Sequence, residues 1–290
     1  METPQVLGID IGGTKTAWAV MDDQGKISKQ GTYPTPTHKE AFLRALVNLG
    51  RSHKVEAIGI GIAGTVSADH EHILVCTNLP ELSHVELVSH LKENGLSHIT
   101  LDNDARCALI GEVWLGSAQD LTSAVLLTLG TGVGGAVMQK GIIKAHPLDV
   151  TREIGRIIVD SSDVFPASAG AGTIEAFLGG RNLEDRLQIN LAEEAKNVHL
   201  GSPEAKKVWR TIADFFINTV RALYDEYHCK AIIIAGKGVR DLEYYSQDPT
   251  PCPVIPAKLG ELAGLYGAGR IALDLWEENQ KDWDETEEDL

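Results

Sequence analysis

The sequence predicts an α/β protein of two domains, on three observations. The chain has 290 residues, more than one ordinary domain holds. A helix over 39–51 between an earlier strand and the strand from Val55 forms a crossover that implies parallel pairing. A glycine-rich pair of strands near the amino terminus recurs after residue 123, so one supersecondary unit is present twice.

Taken in order, "VLGID" (6–10) is an apolar run ending in the carboxylate of Asp10. The turn Gly12-Gly13-Thr14 and a second strand (16–21) follow. "DDQG" (22–25) reads as a hairpin turn and "KISKQGTY" as a third strand. Phe42, Leu43, Leu46 and Leu49 stand at helical spacing within 39–51, and "VEAIGIGIAG" returns as a buried strand. Next come the strand "HILVCT", a helix over "HVELVSHLKEN", the strand "HITLD" and a helix over 105–115, directly after "DND". From Ser123, "SAVLLTLGTGVGGAVMQKGII" repeats the opening: strand, Gly/Thr turn, strand, Lys-Gly hairpin, strand. Gly12 precedes the hairpin glycine Gly25 by 13 positions, and Gly130 precedes Gly141 by 11. Two such turns are expected to face each other across a cleft.

Residues 182–226 read as helical, with the amphipathic "AKKVWRTIADFFINTVRALYDEY" at their centre. "KAIIIAGKG" is a buried strand ending in Gly236 and Gly238. "LGELAGLYGAGRIALDLW" is a helix whose glycines and alanines imply close packing. The expected division is a small domain over 1–103, a large one over 104–259, and a last helix over 260–290 packing back toward the first.

A net charge of −15 excludes a broad nucleic-acid surface, which needs clustered Lys and Arg. Part of that charge is "EENQKDWDETEEDL" (277–290), read as a solvated helix end with a frayed terminus. Cys76, Cys107, Cys229 and Cys252 lie far apart with no Cys-x-x-Cys, which suits a reducing cytoplasm. No signal peptide opens the chain and no apolar run reaches ~18 residues, so no membrane partner is expected.

The opening turn is not a familiar phosphate motif. Walker A requires Gly-x4-Gly-Lys-Ser/Thr between strand and helix, and a Rossmann turn opens a helix. Here Gly-Gly-Thr-Lys joins two strands. It offers backbone N–H groups with little side-chain obstruction and a Thr14 hydroxyl, an anion-binding concavity. Asp10 at the strand's carboxyl end can hold Mg²⁺ through water. Gly130-Thr131-Gly132 supplies a second set of donors, as for a polyphosphate gripped from two sides.

Paired hairpins followed by a late strand and glycine turn resemble the actin/hexokinase/Hsp70 superfamily, whose two domains are ribonuclease H-like. Within it the sequence is similar to the ROK family of bacterial sugar kinases and repressors over nearly the whole chain. The matching pieces are "GIDIGGTK" (8–15), "GIGIAGTV" (59–66), "TNLP" (77–80), "DNDARCALIGE" (102–112), "LTLGTGVGG" (127–135), "REIG" (152–155), "GTIEAF" (172–177), "IIIAGKGV" (232–239) and "AGLYGAGRIAL" (263–273). The resemblance implies an ATP-dependent kinase of glucokinase type, Mg-ATP as cofactor, a sugar/ATP cleft between domains, and a homodimer. It implies that Asp104 is the general base that takes the proton of the attacking sugar hydroxyl, worth about 10²–10⁴-fold. Gly64, Thr77, Asn103, Glu153 and Glu175 are implied at the sugar. Asp10, Gly12, Gly13, Thr14, Lys15, Gly130, Thr131, Gly132, Gly236 and Gly238 are implied at the nucleotide. Taken without the family, "DND" is a helix cap and each glutamate a surface residue.

The chain departs from the family at one place. The family binds a structural zinc with a His and three Cys, and those positions here are Arg156, Pro166, Ser168 and Thr173. No zinc is therefore expected, its place being taken by packing around Phe165 and Phe177. Arg156 is a donor only; it either sits at the sugar and alters hydroxyl preference, or pairs with a carboxylate such as Glu153. Lys237 interrupts the glycines after the late strand, and Trp18 reads as a core residue. The rival readings are a repressor, for which the charge and the early Asp10 leave no DNA-binding head, a non-catalytic sugar-binding member, and a kinase using polyphosphate, GTP or an N-acetylated sugar.

Overall fold

The computed structural model describes residues 3–148, 152–167, 169–236 and 249–288. It divides into two compact units, Met1–Gly116 with Leu262–Leu290, and Ser117–Glu261.

The first unit is built on a five-stranded sheet of order β3-β2-β1-β4-β7. Its strands are β1 (Val6–Ile11), β2 (Lys15–Met21), β3 (Ile27–Pro34), β4 (Ala57–Ile62) and β7 (Ile99–Asn103); β5 (Thr65–Val66) and β6 (Ile73–Val75) pair separately. β1, β2 and β3 run antiparallel, while β4 and β7 are parallel to β1 and to each other. The pleat sorts residues by parity. Leu7, Ile9 and Ile11 of β1, with Ile58, Ile60 and Ile62 of β4, share a core with Phe42, Leu43 and Leu46 of α1 (Lys39–Ser52) and Leu87, Val88 and Leu91 of α2 (Leu87–Glu93).

The opposite face carries Gly8, Gly59 and Gly61, and two helices lie against it almost backbone to backbone. These are α3 (Asp104–Leu115) and a long carboxy-terminal helix, Ala263–Glu288, named α8 below. A Cβ at Gly8 would stand 2.7 Å from the Leu265 carbonyl, and one at Gly59 would overlap the carbonyl of Ala268. Between the helices, a Cβ at Gly267 would overlap the carbonyl of Cys107. The glycines and alanines of "AGLYGAGRIAL" are thus the price of this close approach.

The second unit repeats the plan. β8 (Ser123–Leu129), β9 (Val133–Gln139), β10 (Ile142–Ile143), β11 (Ile232–Gly236) and β12 (Val254–Pro256) form a sheet of order β10-β9-β8-β11-β12, strand for strand the order of the first. The hairpin glycines correspond as well, Gly25 at φ 76° and Gly141 at φ 77°. Two units of this topology are the ribonuclease H-like pair of an actin-like ATPase. α4 (Ile174–Leu178), α5 (Gly180–Leu187), α6 (Leu191–His199) and α7 (Pro203–Tyr227) complete the unit. Trp209, Ile212, Phe216, Val220 and Leu223 of α7 pack on Ile232, Ile234, Val125 and Leu127.

The first unit runs on to Gly116, past the division placed near Asp104 from sequence, and takes in the last helix. The cause is packing: α3 begins at Asp104 itself and lies against α8. Among the described residues no helix is long and apolar enough to cross a membrane.

Gly267→Ala is expected to lower stability by at least ~2 kcal/mol, since helix backbones must move apart to admit the methyl group. A urea midpoint equal to that of the parent would show that the contact has slack.

Candidate active site

In the first unit the turn between β1 and β2 is closed by the Gly12 N–H donating to the Lys15 carbonyl at 3.0 Å. It is pinned from the end of β3. The Thr35 hydroxyl donates to the Gly12 carbonyl at 2.8 Å, and the Thr35 N–H donates to the Thr14 carbonyl at 3.0 Å. Thr14 and Lys15 are exposed, and the Asn78 side chain lies 3.0 Å from where a Cβ of Gly13 would stand.

Asp10 has even parity on β1, so its side chain emerges on the glycine face. There it meets the first turn of α8, and a Cβ at Gly264 would lie 2.9 Å from its Oδ2. Burial pushes its carboxyl up to about 6, against a smaller lowering by the Lys15 ammonium.

β7 delivers "DND" to the start of α3. Asn103 is the cap: its Oδ1 accepts the N–H groups of Ala105 at 3.0 Å and Arg106 at 3.1 Å. Its Nδ2 donates to the Gly64 carbonyl at 3.0 Å and to Asp104 Oδ1 at 3.1 Å. Asp104 is the first helical residue, half-buried, and its Oδ1 also accepts the Ala105 N–H at 2.8 Å. Asp102 is buried and takes Arg106 Nε at 2.8 and 3.0 Å. Gly64 also meets the end of β6, where a Cβ would stand 2.5 Å from the Val75 carbonyl. The Cys76 thiol donates to the Ala63 carbonyl at 3.5 Å, and Thr77 beside it is exposed. The structure thus gathers Gly64, Asn103 and Asp104, with Thr77 on the neighbouring segment.

In the second unit the turn after β8 is held from the α4–α5 junction. The Gly180 N–H donates to the Gly130 carbonyl at 2.9 Å and the Arg181 N–H to the Thr131 carbonyl at 3.2 Å. Glu175 Oε2 accepts the Val133 N–H at 3.0 Å and lies over Gly132, where a Cβ would sit 2.6 Å away. Gly236, at φ 76°, approaches the end of β8, with the Leu129 carbonyl 2.7 Å from where a Cβ would be. Gly238 and Lys237 lie outside the described residues. Glu153 immediately precedes the short turn Ile154–Arg156, and Gly155 abuts the Val133 carbonyl and the Glu175 Cβ. Glu175 and the turn Gly130-Thr131-Gly132 are therefore neighbours, and the short turn that follows Glu153 packs against both Glu175 and Val133.

At the positions that departed from the family, Arg156 Nη1 donates to the Ala169 carbonyl at 3.3 Å. The Thr173 hydroxyl accepts the Ala176 N–H at 3.1 Å as the cap of α4 and donates to the Gly170 carbonyl at 2.9 Å. Ser168 lies outside the described residues. Sequence reasoning missed Asp163 and Arg186. Arg186 Nη1 and Nη2 donate to the two Asp163 oxygens at 2.9 and 2.7 Å, and its guanidinium lies 4.3 Å from the Phe165 ring and 4.5 Å from that of Phe177. Twenty-three residues separate the ionic partners, a spacing with no local signature. Among the described residues, the grouping of His, Cys, Asp and Glu compact enough to share an ion is Asp69, Glu71 and His72, on the first unit.

The family model for ROK matches residues 6–274. Among curated proteins, the glucokinase of Streptomyces coelicolor is 26% identical over 92% of this chain and 96% of its own length. The N-acetylmannosamine kinase of Salmonella typhi is 31% identical over 92% and 97%. Among solved structures, a ROK family glucokinase from Streptomyces griseus in complex with glucose and AMPPNP superposes with a TM-score of 0.77 at 25% identity, covering 93% of this chain and 99% of that one. With a match over most of its length and the glycine turns, "DND" segment and glutamates in one order, this chain belongs to the ROK family.

Proposed function

We propose that this protein transfers the γ-phosphoryl group of ATP to a hydroxyl of a hexose, with glucose or a close relative as acceptor. The observation that carries the reading is Asp104: a half-buried carboxylate at the first turn of α3, oriented by the Ala105 N–H and by Asn103, which is itself fixed as the cap. In this reading an Asp104 oxygen takes the proton as the sugar hydroxyl attacks, and Asn103, Gly64 and Thr77 line the same sugar. Glu153 and Glu175 accept its other hydroxyls; Glu175 keeps a lone pair for this while holding the Val133 N–H.

Phosphoryl transfer asks little covalent chemistry of the protein, so positioning and charge stabilisation dominate. Gly12 to Lys15 on one unit, with Gly130 to Gly132 and Gly236 to Gly238 on the other, are assigned to the nucleotide. Magnesium bound with ATP would supply charge neutralisation at the phosphate oxygens. Asp10 suits it, through water, because a poorly solvated carboxylate raised to about 6 gains from a nearby cation. Arg156 is assigned a structural part, supported by its bond to the Ala169 carbonyl. A zinc-free site is supported by Thr173, already committed as a cap, and by Arg156, which has no lone pair to offer. A cytoplasmic location and a homodimer are carried over from the family.

A second reading, phosphorylation of an N-acetylhexosamine, is favoured by the 31% identity to the Salmonella typhi kinase against 26% to the Streptomyces coelicolor glucokinase.

A coupled assay across hexoses, N-acetylhexosamines and phosphoryl donors tests the reading. Asp104→Asn is expected to lower kcat by about 10²–10⁴-fold with the Tm little changed. No turnover with any sugar, or a fully active variant, would overturn it. Elemental analysis is expected to find no stoichiometric zinc, and EDTA to leave the nucleotide-free Tm unchanged; one tightly held zinc per chain refutes that part.

Asp10 gives a pH test. Its folded pKa of about 6 lies above the ordinary 3.8, so the folded state holds the proton more tightly and that stability is lost as pH rises through about 6. Asp10→Asn is therefore expected to raise the nucleotide-free Tm at pH 8, to change it little near pH 4, and to impair turnover. An unchanged Tm at pH 8 would show that the carboxylate is well solvated.

A further inference from the structure

The segment from Asp160 to Thr173 leads into α4, which presents Glu175, and it is tied down from α5. Arg186, the penultimate residue of α5, makes a forked pair with Asp163, the two side chains being only 14% and 11% exposed. The same guanidinium stacks on Phe165 and Phe177, lies 5.7 Å from Phe215 of α7, and donates through Nε to the Ala176 carbonyl at 3.3 Å. Asp163 in turn accepts the Gly172 N–H at 2.9 Å, next to Thr173, the α4 cap. One cation thus reaches the loop through Asp163, the rings, and the α4 backbone at the residue after Glu175.

We infer that Arg186 is a positioning residue for the sugar-binding carboxylate: its fork to Asp163 and its contacts with Phe165, Phe177 and the Ala176 carbonyl fix where Glu175 stands. This inference rests on the sugar kinase reading. Guanidinium chemistry is needed for it. A planar group can meet a carboxylate with two parallel bonds while offering both faces to aromatic rings, which an ammonium cannot do. The strength of the pair is reflected in the Asp163 carboxyl, held down at about 2 chiefly by Arg186. Asp163 also links the guanidinium to the Gly172 N–H, so it transmits the constraint to the α4 cap. The consequence falls mainly on the sugar, because the turn that Glu175 also touches through the Val133 N–H has separate anchors. The Gly130 and Thr131 carbonyls are held by backbone N–H groups of Gly180 and Arg181, bonds that do not involve the Arg186 side chain.

The test compares Arg186→Lys, Arg186→Met and Asp163→Asn with the parent chain. Expected are a rise of about tenfold or more in sugar KM, with ATP KM and kcat within about threefold, and faster amide exchange confined to residues 160–178. Arg186→Lys should behave like Arg186→Met, because charge without the fork does not restore the geometry. Asp163→Asn, nearly isosteric, serves if removal of Arg186 prevents folding. Faster exchange with an unchanged sugar KM would overturn the inference and leave the clamp merely structural. A parent that phosphorylates no sugar would overturn the kinase reading and this inference with it, whereas an active parent with unaltered variants overturns this inference alone.

Discussion

The first unit depends on how near two helices can come to a sheet. Gly8 and Gly59 present bare backbone on one face, Gly267 and Ala268 present almost none of their own bulk in return, and α8 settles into the sheet at a depth no side chain would allow. Dispersion falls off within an ångström of contact, so this depth is where much of the packing gain lies. The two carboxylates of greatest chemical interest inherit their positions from it. Asp10 projects from the same face and finds the start of α8 over it, and Asp104 opens α3, the other helix of the layer. A side chain grown at Gly267 would therefore disturb more than a core; it would shift the origin from which both carboxylates are measured.

The second unit repeats the sheet order but secures its glycine turn by other means. In the first, a threonine from the neighbouring strand fastens the turn through its hydroxyl and its N–H. In the second, the fastening comes from a helix junction and from the carboxylate of Glu175. Two copies of one topology have thus been given different partners at equivalent turns. In the proposed function Glu175 is a sugar-binding group as well as a backbone anchor, so loss of that carboxylate would act on the turn as well as on any ligand.

The sheet repeat was legible because glycine spacing and strand periodicity are local properties, and "GIDIGG" and "LGTGVGG" carry both. That "DND" caps the following helix was legible, but which residue caps was not. Asn103 takes that part and leaves Asp104 inside the helix, a distinction set by backbone geometry at a single peptide. The first unit's extent to Gly116 was hidden because it follows from contact with a helix more than a hundred residues away. Arg186 was hidden for the same reason: its carboxylate and its rings come from separate segments, and only the folded chain brings them to one guanidinium. Arg156, singled out from the family pattern, finds a backbone carbonyl of that same loop.

The first unit is assembled from both ends of the described chain, with residues 117–261 intervening. During synthesis its sheet and α3 emerge first, yet the part of the glycine face that lies under α8 stays uncovered until α8 has left the ribosome. Folding is commonly domain by domain and amino-terminal first. Here the order is inverted for the final step: the inserted unit is complete in sequence before its host is. The face exposed in that interval carries Val6 and Met21 beside Gly8 and Gly59, so the nascent sheet waits with an apolar strip that α8 covers last.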